Sequence, residues 1–159
     1  MADVFADGNT RVAFASAIAN IALPTTTELN AGILLHDTIT DDGLMGFEAT
    51  SAVIPTTPLS GQFDTTYPGR DSFSGTALRF KKQTATDTIF NTFTKYVTGF
   101  IVIRRGVLCT TAWASSQLIE VYPVTCGREK RLQPTANSIE KWEMPFTISS
   151  QPNLRAAVA

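Results

Sequence analysis

Chemistry-bearing residues are what this chain has least of. It carries a single histidine, His36, so no relay between two imidazoles can form. No Ser sits in a GxSxG turn, and there is no P-loop and no GxGxxG, which removes the common signatures of nucleophilic and nucleotide chemistry. His36 follows Ile33-Leu34-Leu35 and precedes Asp37, the setting of a satisfied structural histidine. Asp37, Asp41 and Asp42 lack EF-hand spacing and its terminal Glu, so a solvated turn is the expectation there rather than a calcium loop. Cys109 and Cys126 are the only cysteines. Neither belongs to a CxxC pair, so a zinc site is excluded. A disulfide between them and two buried, reduced thiols both fit the spacing. No cofactor and no metal are expected.

Charge is scarce as well. Charged residues make up 17% of the 159, with a net charge of −1, against about 25% charged in an ordinary soluble domain. Two readings stay open: surface hidden against copies of the same chain, or a Thr-rich surface that is polar without charge. With no basic excess, tight binding of a phosphate backbone is disfavoured. Long apolar runs are missing too. No stretch approaches the ~20 apolar residues that cross a bilayer, and the N-terminus lacks the basic and apolar regions of a secretory signal. Neither membrane nor export is expected.

What is present is turn punctuation between short apolar segments. Residues 1–11 are small, acidic and turn-prone and read as an arm. Arg11–Ala22 holds a strand that Pro24 stops. Thr25-Thr26-Thr27-Glu28 matches a capping box, with Gly32 as the stop, so a short helix fits 25–31. Asp41-Asp42-Gly43 signals a turn ahead of a strand within Leu44–Ile54. Pro55, Pro58, Gly61, Pro68 and Gly69 then punctuate a long irregular loop, 54–70, of a length that is usually functional or disordered. Asp71–Lys82 reads as a strand. Thr86 or Asp87 caps a more substantial helix to about Tyr96, with Ile89, Phe90 and Phe93 on its buried face. The unbroken run Phe100–Arg105 predicts a strand buried on both faces, and Gln117–Cys126 is another. In Ser138–Ser150, Trp142, Met144, Phe146 and Ile148 alternate with polar residues, and Pro145 predicts a bulge or an edge. Arg104-Arg105 and Arg128-Glu129-Lys130-Arg131 are small basic clusters. The second reads as a solvated loop, with contact to a neighbouring subunit as its functional alternative. About six strands with such punctuation make a single mainly β domain over 1–159, a sandwich or barrel.

Four signatures, in order along the chain, carry a resemblance. They are Met1-Ala2-Asp3-Val4-Phe5-Ala6-Asp7-Gly8-Asn9-Thr10-Arg11-Val12, Gly69-Arg70-Asp71-Ser72-Phe73-Ser74-Gly75-Thr76, Trp113-Ala114-Ser115-Ser116-Gln117 running into Glu120–Gly127, and Gln151–Ala159. Together they resemble the major tail protein, or tail tube protein, of long-tailed bacteriophages. The resemblance implies a tail tube-like β-sandwich or barrel with one flanking α-helix. It also implies strands that join an inner β-barrel across six-fold rings, which closes the exposed sheet edges. The rings stack into a tube in the virion tail, assembled in the host bacterial cytoplasm, where reduced thiols are the default. DNA crosses the lumen at ejection without specific binding. The implied partners are the subunit itself, a tape measure protein, a tail terminator and tail tip proteins.

The resemblance also points to positions. The arm, the 54–70 loop and the 150–159 tail match contact segments, which nominates Val4, Phe5, Pro55, Leu59, Phe63, Tyr67, Arg70, Leu154 and Arg155. Phe73–Thr76 and Trp142–Ile148 are candidate inner-barrel strands. Glu120, Glu140 and Glu143 are candidate lumen carboxylates that would keep DNA from adhering. Other readings stay open: the tube of a contractile tail or injection system, a head–tail joining protein, and a small-ligand-binding β-barrel with a concave apolar pocket. An enzyme is the weakest, given the acid, base and metal inventory.

Overall fold

The computed structural model describes residues 1–159. Eleven strands and two helices alternate in the order β1 (Thr10–Ala15), α1 (Thr26–Asn30), β2 (Ile33–Leu34), β3 (Ile39–Met45), β4 (Thr50–Pro55), β5 (Thr66–Ser72), β6 (Ala77–Lys81), α2 (Thr88–Thr92), β7 (Thr98–Arg105), β8 (Leu118–Cys126), β9 (Lys130–Arg131), β10 (Lys141–Ile148) and β11 (Asn153–Ala157). Nine strands make one antiparallel sheet that curls into a half-barrel. Its path runs β2-β1-β7-β8-β10-β6-β3, with β11 added beside β8 and β9 beside β10. β4 and β5 form a separate two-stranded hairpin.

The fold is mainly β, as the turn-punctuated sequence predicts, and its centre follows from side-chain alternation. β7 is Thr-Gly-Phe-Ile-Val-Ile-Arg-Arg, and both of its faces are apolar. Ile101 and Ile103 enter one core cluster with Val12, Phe14, Tyr122, Val124, Trp142 and Phe146. Val102 enters the other, with Ala13, Ile119, Val121, Leu29 of α1, Trp113 and Val158. The β1-β7-β8 leaflet is therefore packed on both sides, which is why its strands read as continuous apolar runs. Gly99 makes the first cluster possible at one point. A Cβ there would lie 2.4 Å from the Phe14 ring.

Local capping is as the sequence predicts. The Thr25 hydroxyl accepts from the Glu28 amide, and the Glu28 carboxylate accepts from the Thr25 amide at 2.9 Å and the Ala19 amide at 3.0 Å. These amides hold the Glu28 carboxyl below its usual range. α2 is capped by Asp87 but is a single short turn rather than a substantial helix to Tyr96. Phe93 leaves helical geometry (ψ 91°) because its ring turns into the core against Phe14 and Phe146.

Several strand assignments differ from expectation. Asp41-Asp42-Gly43 is not a turn before a strand; it sits inside β3, where the pairing with β6 shifts register between Ile39 and Leu44. Turn residues serve that bulge well. Gly43 lets the two backbones approach, since a Cβ would lie 2.5 Å from the Arg79 carbonyl. Pro145 marks neither an edge nor a bulge. β10 is central: residues 141–145 pair with β6 and residues 146–148 with β8. Pro145 stands at the handover, where a ladder donor can be spared. Residues 73–76 form the turn between β5 and β6 rather than a strand. Phe73 packs edge-on against Tyr122 at 5.7 Å.

Candidate assembly surface

The stretch 54–70 is irregular at its centre, as expected, but both of its ends are strands of a hairpin. β4 pairs with β5 from Thr50↔Ser72 to Pro55↔Thr66, with a register shift between Ser51 and Val53. Pro68 and Gly69 lie in a strand after all, which a ribbon tolerates because both strands are edges. Only 56–65 remain as the connection. Its base is tied by its own threonines: the Thr56 amide donates to the Thr65 carbonyl at 2.9 Å, and the Thr65 amide to Thr57 Oγ1 at 2.9 Å. No residue of β4 or β5 is buried. Val53, Ile54, Leu59, Phe63 and Tyr67 are all exposed, Leu59 completely. A two-stranded ribbon with no core is marginal alone, and an exposed apolar patch of this kind marks an interaction site.

The other nominated contact residues are also on the surface. Val4 and Phe5 are exposed on the arm, which is anchored where the Cys109 amide donates to the Gly8 carbonyl and the Gly106 amide to the Asn9 carbonyl. Pro55 and Arg70 are exposed on the hairpin. The 150–159 tail is more structured than a loose segment. β11 pairs with β8, and Ala156 and Val158 are buried, while Leu154 and Arg155 stay exposed.

The three candidate lumen carboxylates are not brought together. Glu120 shares the β8 face that carries Tyr122 and Val124, and it pairs with Arg105 at 3.1 Å. Glu143 alternates with Trp142 and Met144, so it projects from the opposite face of the sheet. There it pairs with Arg79 at 3.3 Å and Lys130 at 3.8 Å. Glu140 alone is exposed and unpaired, in the connection before β10.

The basic clusters resolve differently from their sequence appearance. Arg104 is fully buried. Its guanidinium donates to the carbonyls of Leu108, Thr111 and Ala112 and to Gln117 Oε1. Arg11, nearly buried, donates to the Cys109 carbonyl at 2.7 Å. The two guanidiniums lie 5.2 and 4.9 Å from the Trp113 ring, and burial lowers the pKa of both. They fix the 106–117 connection over the sheet by cation–π contact and by capping its carbonyls. A clue stood in the sequence: Arg11 and Arg104 both fall inside apolar strand runs and pair across β1 and β7. In the second cluster, Lys130 and Arg131 form β9 instead of a loop, with Arg131 over the Phe90 ring.

The remaining titratable groups are structural in placement. His36 is largely buried, 3.9 Å from Asp37, but its Nδ1 has no partner, so the imidazole is not fully satisfied as expected. Cys109 and Cys126 are free thiols, and only Cys126 is buried; burial pushes its pKa up to about 11. The Tyr122 hydroxyl donates to the Phe47 carbonyl at 3.1 Å. Burial, with Glu120 nearby, raises its pKa to about 12. No three His, Cys, Asp or Glu side chains gather as a metal site, and no helix is long and apolar enough to cross a membrane.

A half-barrel with sheet edges unclosed and an apolar ribbon held out in solvent presents surface suited to contact with other chains. The family model for phage tail tube proteins matches residues 1–159. The chain belongs to the phage tail tube protein family, a family of structural components of the virion tail. No curated protein matches it. Among solved structures it is similar to a chain in the cryo-EM structure of the anti-feeding prophage (AFP) baseplate, 6-fold symmetrised. The identity is 11% over 98% of both chains, with a TM-score of 0.59, a likeness of fold.

Proposed function

We propose that the chain is a tube subunit that closes into hexameric rings, and that the rings stack into the tail tube that genomic DNA crosses at ejection. The observation that carries this reading is the β4–β5 hairpin, a pre-shaped apolar ribbon with nothing of its own subunit to cover it. A heterologous contact made by such a ribbon repeats until the ring closes or the stack is capped. In this reading a tape measure protein sets length and terminator and tip proteins cap the ends, and assembly takes place in the bacterial cytoplasm. The near-neutral charge suits a conduit that DNA passes without sticking. Of the three carboxylates, Glu140 is the one free to face a lumen unpaired.

A second reading has specific support. The structural neighbour comes from the baseplate of an anti-feeding prophage, so the same fold could serve a contractile or injection-type tube. The test of assembly is negative-stain electron microscopy of the purified protein at rising concentration. Rings or tubes with a central channel are expected. A protein that stays monomeric at every concentration, including with its own tail-tip components added, overturns the reading.

A further inference from the structure

Two surface grooves meet at Leu154. The larger, about 990 Å³, runs from the hairpin stem at Gly69–Ser72 past Phe73 and Ile148 to Pro152. The smaller, about 400 Å³, lies over Ile103, Leu118, Glu120 and Arg155. Leu118 is 72% exposed and Leu154 43%, so apolar surface lies open where the grooves join. Two of the three arginines along them are unspent. Arg70 and Arg155 have no acidic partner within the chain, whereas Arg105 is neutralised by Glu120.

The N-terminal arm carries the complementary pattern. Val4 and Phe5 are 71% and 79% exposed, and Asp3 and Asp7 flank them with no basic partner. The seven residues ahead of the Gly8 anchor can extend over roughly 23 Å. In its own subunit the arm leaves the junction uncovered, with Leu118 and Leu154 both exposed. β1 and β8 flank β7 on opposite sides, and β11 lies beyond β8. The arm leaves from the β1 side and rests Val4 at Gly106, where a Cβ would lie 3.3 Å from Val4 Cγ1.

We infer that the Asp3–Asp7 arm of one copy docks in the Leu154 groove of a second, with Val4 and Phe5 against Leu118 and Leu154 and its carboxylates on Arg155 and Arg70. The inference rests on the self-assembly reading and names one contact within it. Apolar anchors supply affinity at such a junction, and the charges set partner and register.

Two singly substituted proteins test it, each in a Cys109→Ser background: Phe5→Cys and Leu154→Cys. Both positions are exposed, so folding is not at stake. Mixed under assembly conditions and oxidised, they are expected to give a disulfide dimer containing one of each, absent when either is oxidised alone. The doubly substituted chain is expected to give ladders of linked subunits. A cross-link only within one chain, or no cross-link while the mixture assembles, overturns the docking and leaves the tube reading intact. A wild-type protein that never assembles overturns both. As an independent readout, Asp3→Arg with Asp7→Arg is expected to raise the assembly threshold roughly tenfold or more. Adding Arg70→Asp and Arg155→Asp is expected to restore most of it. Unchanged assembly in the Arg variant, or no rescue, counts against the docking.

Discussion

β7 and the β4–β5 hairpin are ribbons of similar residues put to opposite uses. Ile101, Val102 and Ile103 of β7 are fully buried, on two faces, between two neighbouring strands. Val53 and Ile54 of β4 are exposed, and β4 has a single partner strand. β7 gains its stability inside the subunit, from apolar area removed from water. The hairpin has no such gain to make until something else covers it. On the assembly reading proposed above, stability and assembly belong to different parts of the molecule, and each is expected to be disturbed without the other.

The separation breaks most severely at the centre. Ile101→Ala leaves a cavity in the larger core cluster, where Phe14, Tyr122 and Phe146 are held by neighbours on every side. The expected loss is about 2–5 kcal/mol, read as a lower urea midpoint, with assembly falling only because less protein is folded. A loss below 0.5 kcal/mol would mean that the β7 centre is not the source of stability argued above.

Next in size is Arg104, a charge buried without a counter-ion. Arg104→Met keeps much of the volume but leaves the Thr111 carbonyl without a donor, while Leu108 keeps the Thr111 amide and Ala112 the Gln117 side-chain amide. A loss of roughly 2–3 kcal/mol is expected from removing its charge-assisted hydrogen bonds and its contact with the Trp113 ring. Hydrogen exchange resolves the effect, with amides of 106–117 losing protection before those of β10. Uniform loss across the chain would show that the guanidinium does not specifically hold that connection.

A smaller effect sits at Asp87. Burial alone would raise its pKa, but the amides of Gln83 and Phe90 and the Lys82 ammonium donate to it at 3.0–3.1 Å and hold it below the ordinary value. A depressed folded-state pKa stabilises above the unfolded value, and that contribution is lost as pH falls through the folded one. Asn caps a helix as well as Asp does, so Asp87→Asn should cost about 1 kcal/mol at pH 7 through the lost charge in its bonds to Lys82, Gln83 and Phe90. Wild type and variant should converge as the pH falls below about 4. A gap that stays constant down to pH 2 would refute the linkage.

How much of this was legible in the sequence depended on how local the cause was. The capping box at Thr25–Glu28 was readable because all its atoms lie within four residues. The Trp142–Ile148 alternation was readable because one wet face repeats every second residue. Asp41-Asp42-Gly43 misled because a bulge and a turn ask for the same residues, and only the position of β6 distinguishes them. Pro68 and Gly69 concealed a strand because an edge ribbon forgives missing donors. α2 ended early because the core competed for Phe93, a tertiary effect that no helical period records. In the candidate surface, the exposure of Leu59 and Phe63 followed from the Pro/Gly punctuation around them. The pairing of Glu143 with Arg79 did not, since β6 lies far from β10 in sequence, and the burial of Arg104 left only the clue of its apolar run.

The sharpest use of the comparison lies at its quiet end. Leu59→Asp with Phe63→Asp removes two apolar side chains that touch no core and adds charge to a chain short of it. Surface changes of this kind move stability by no more than about 0.5 kcal/mol, so the urea midpoint should match wild type. The hairpin closes through Thr56, Thr57 and Thr65, which remain in place. If the ribbon is an assembly element, two carboxylates that must be desolvated at its tip prevent the contact, and long particles should vanish from negative-stain fields of an otherwise folded protein. Normal assembly by this variant would remove the hairpin tip from the interface and shift the argument to the stem, at Val53, Ile54 and Tyr67. A large drop in midpoint would show the tip to be part of the fold, and the division between the two ribbons would fail.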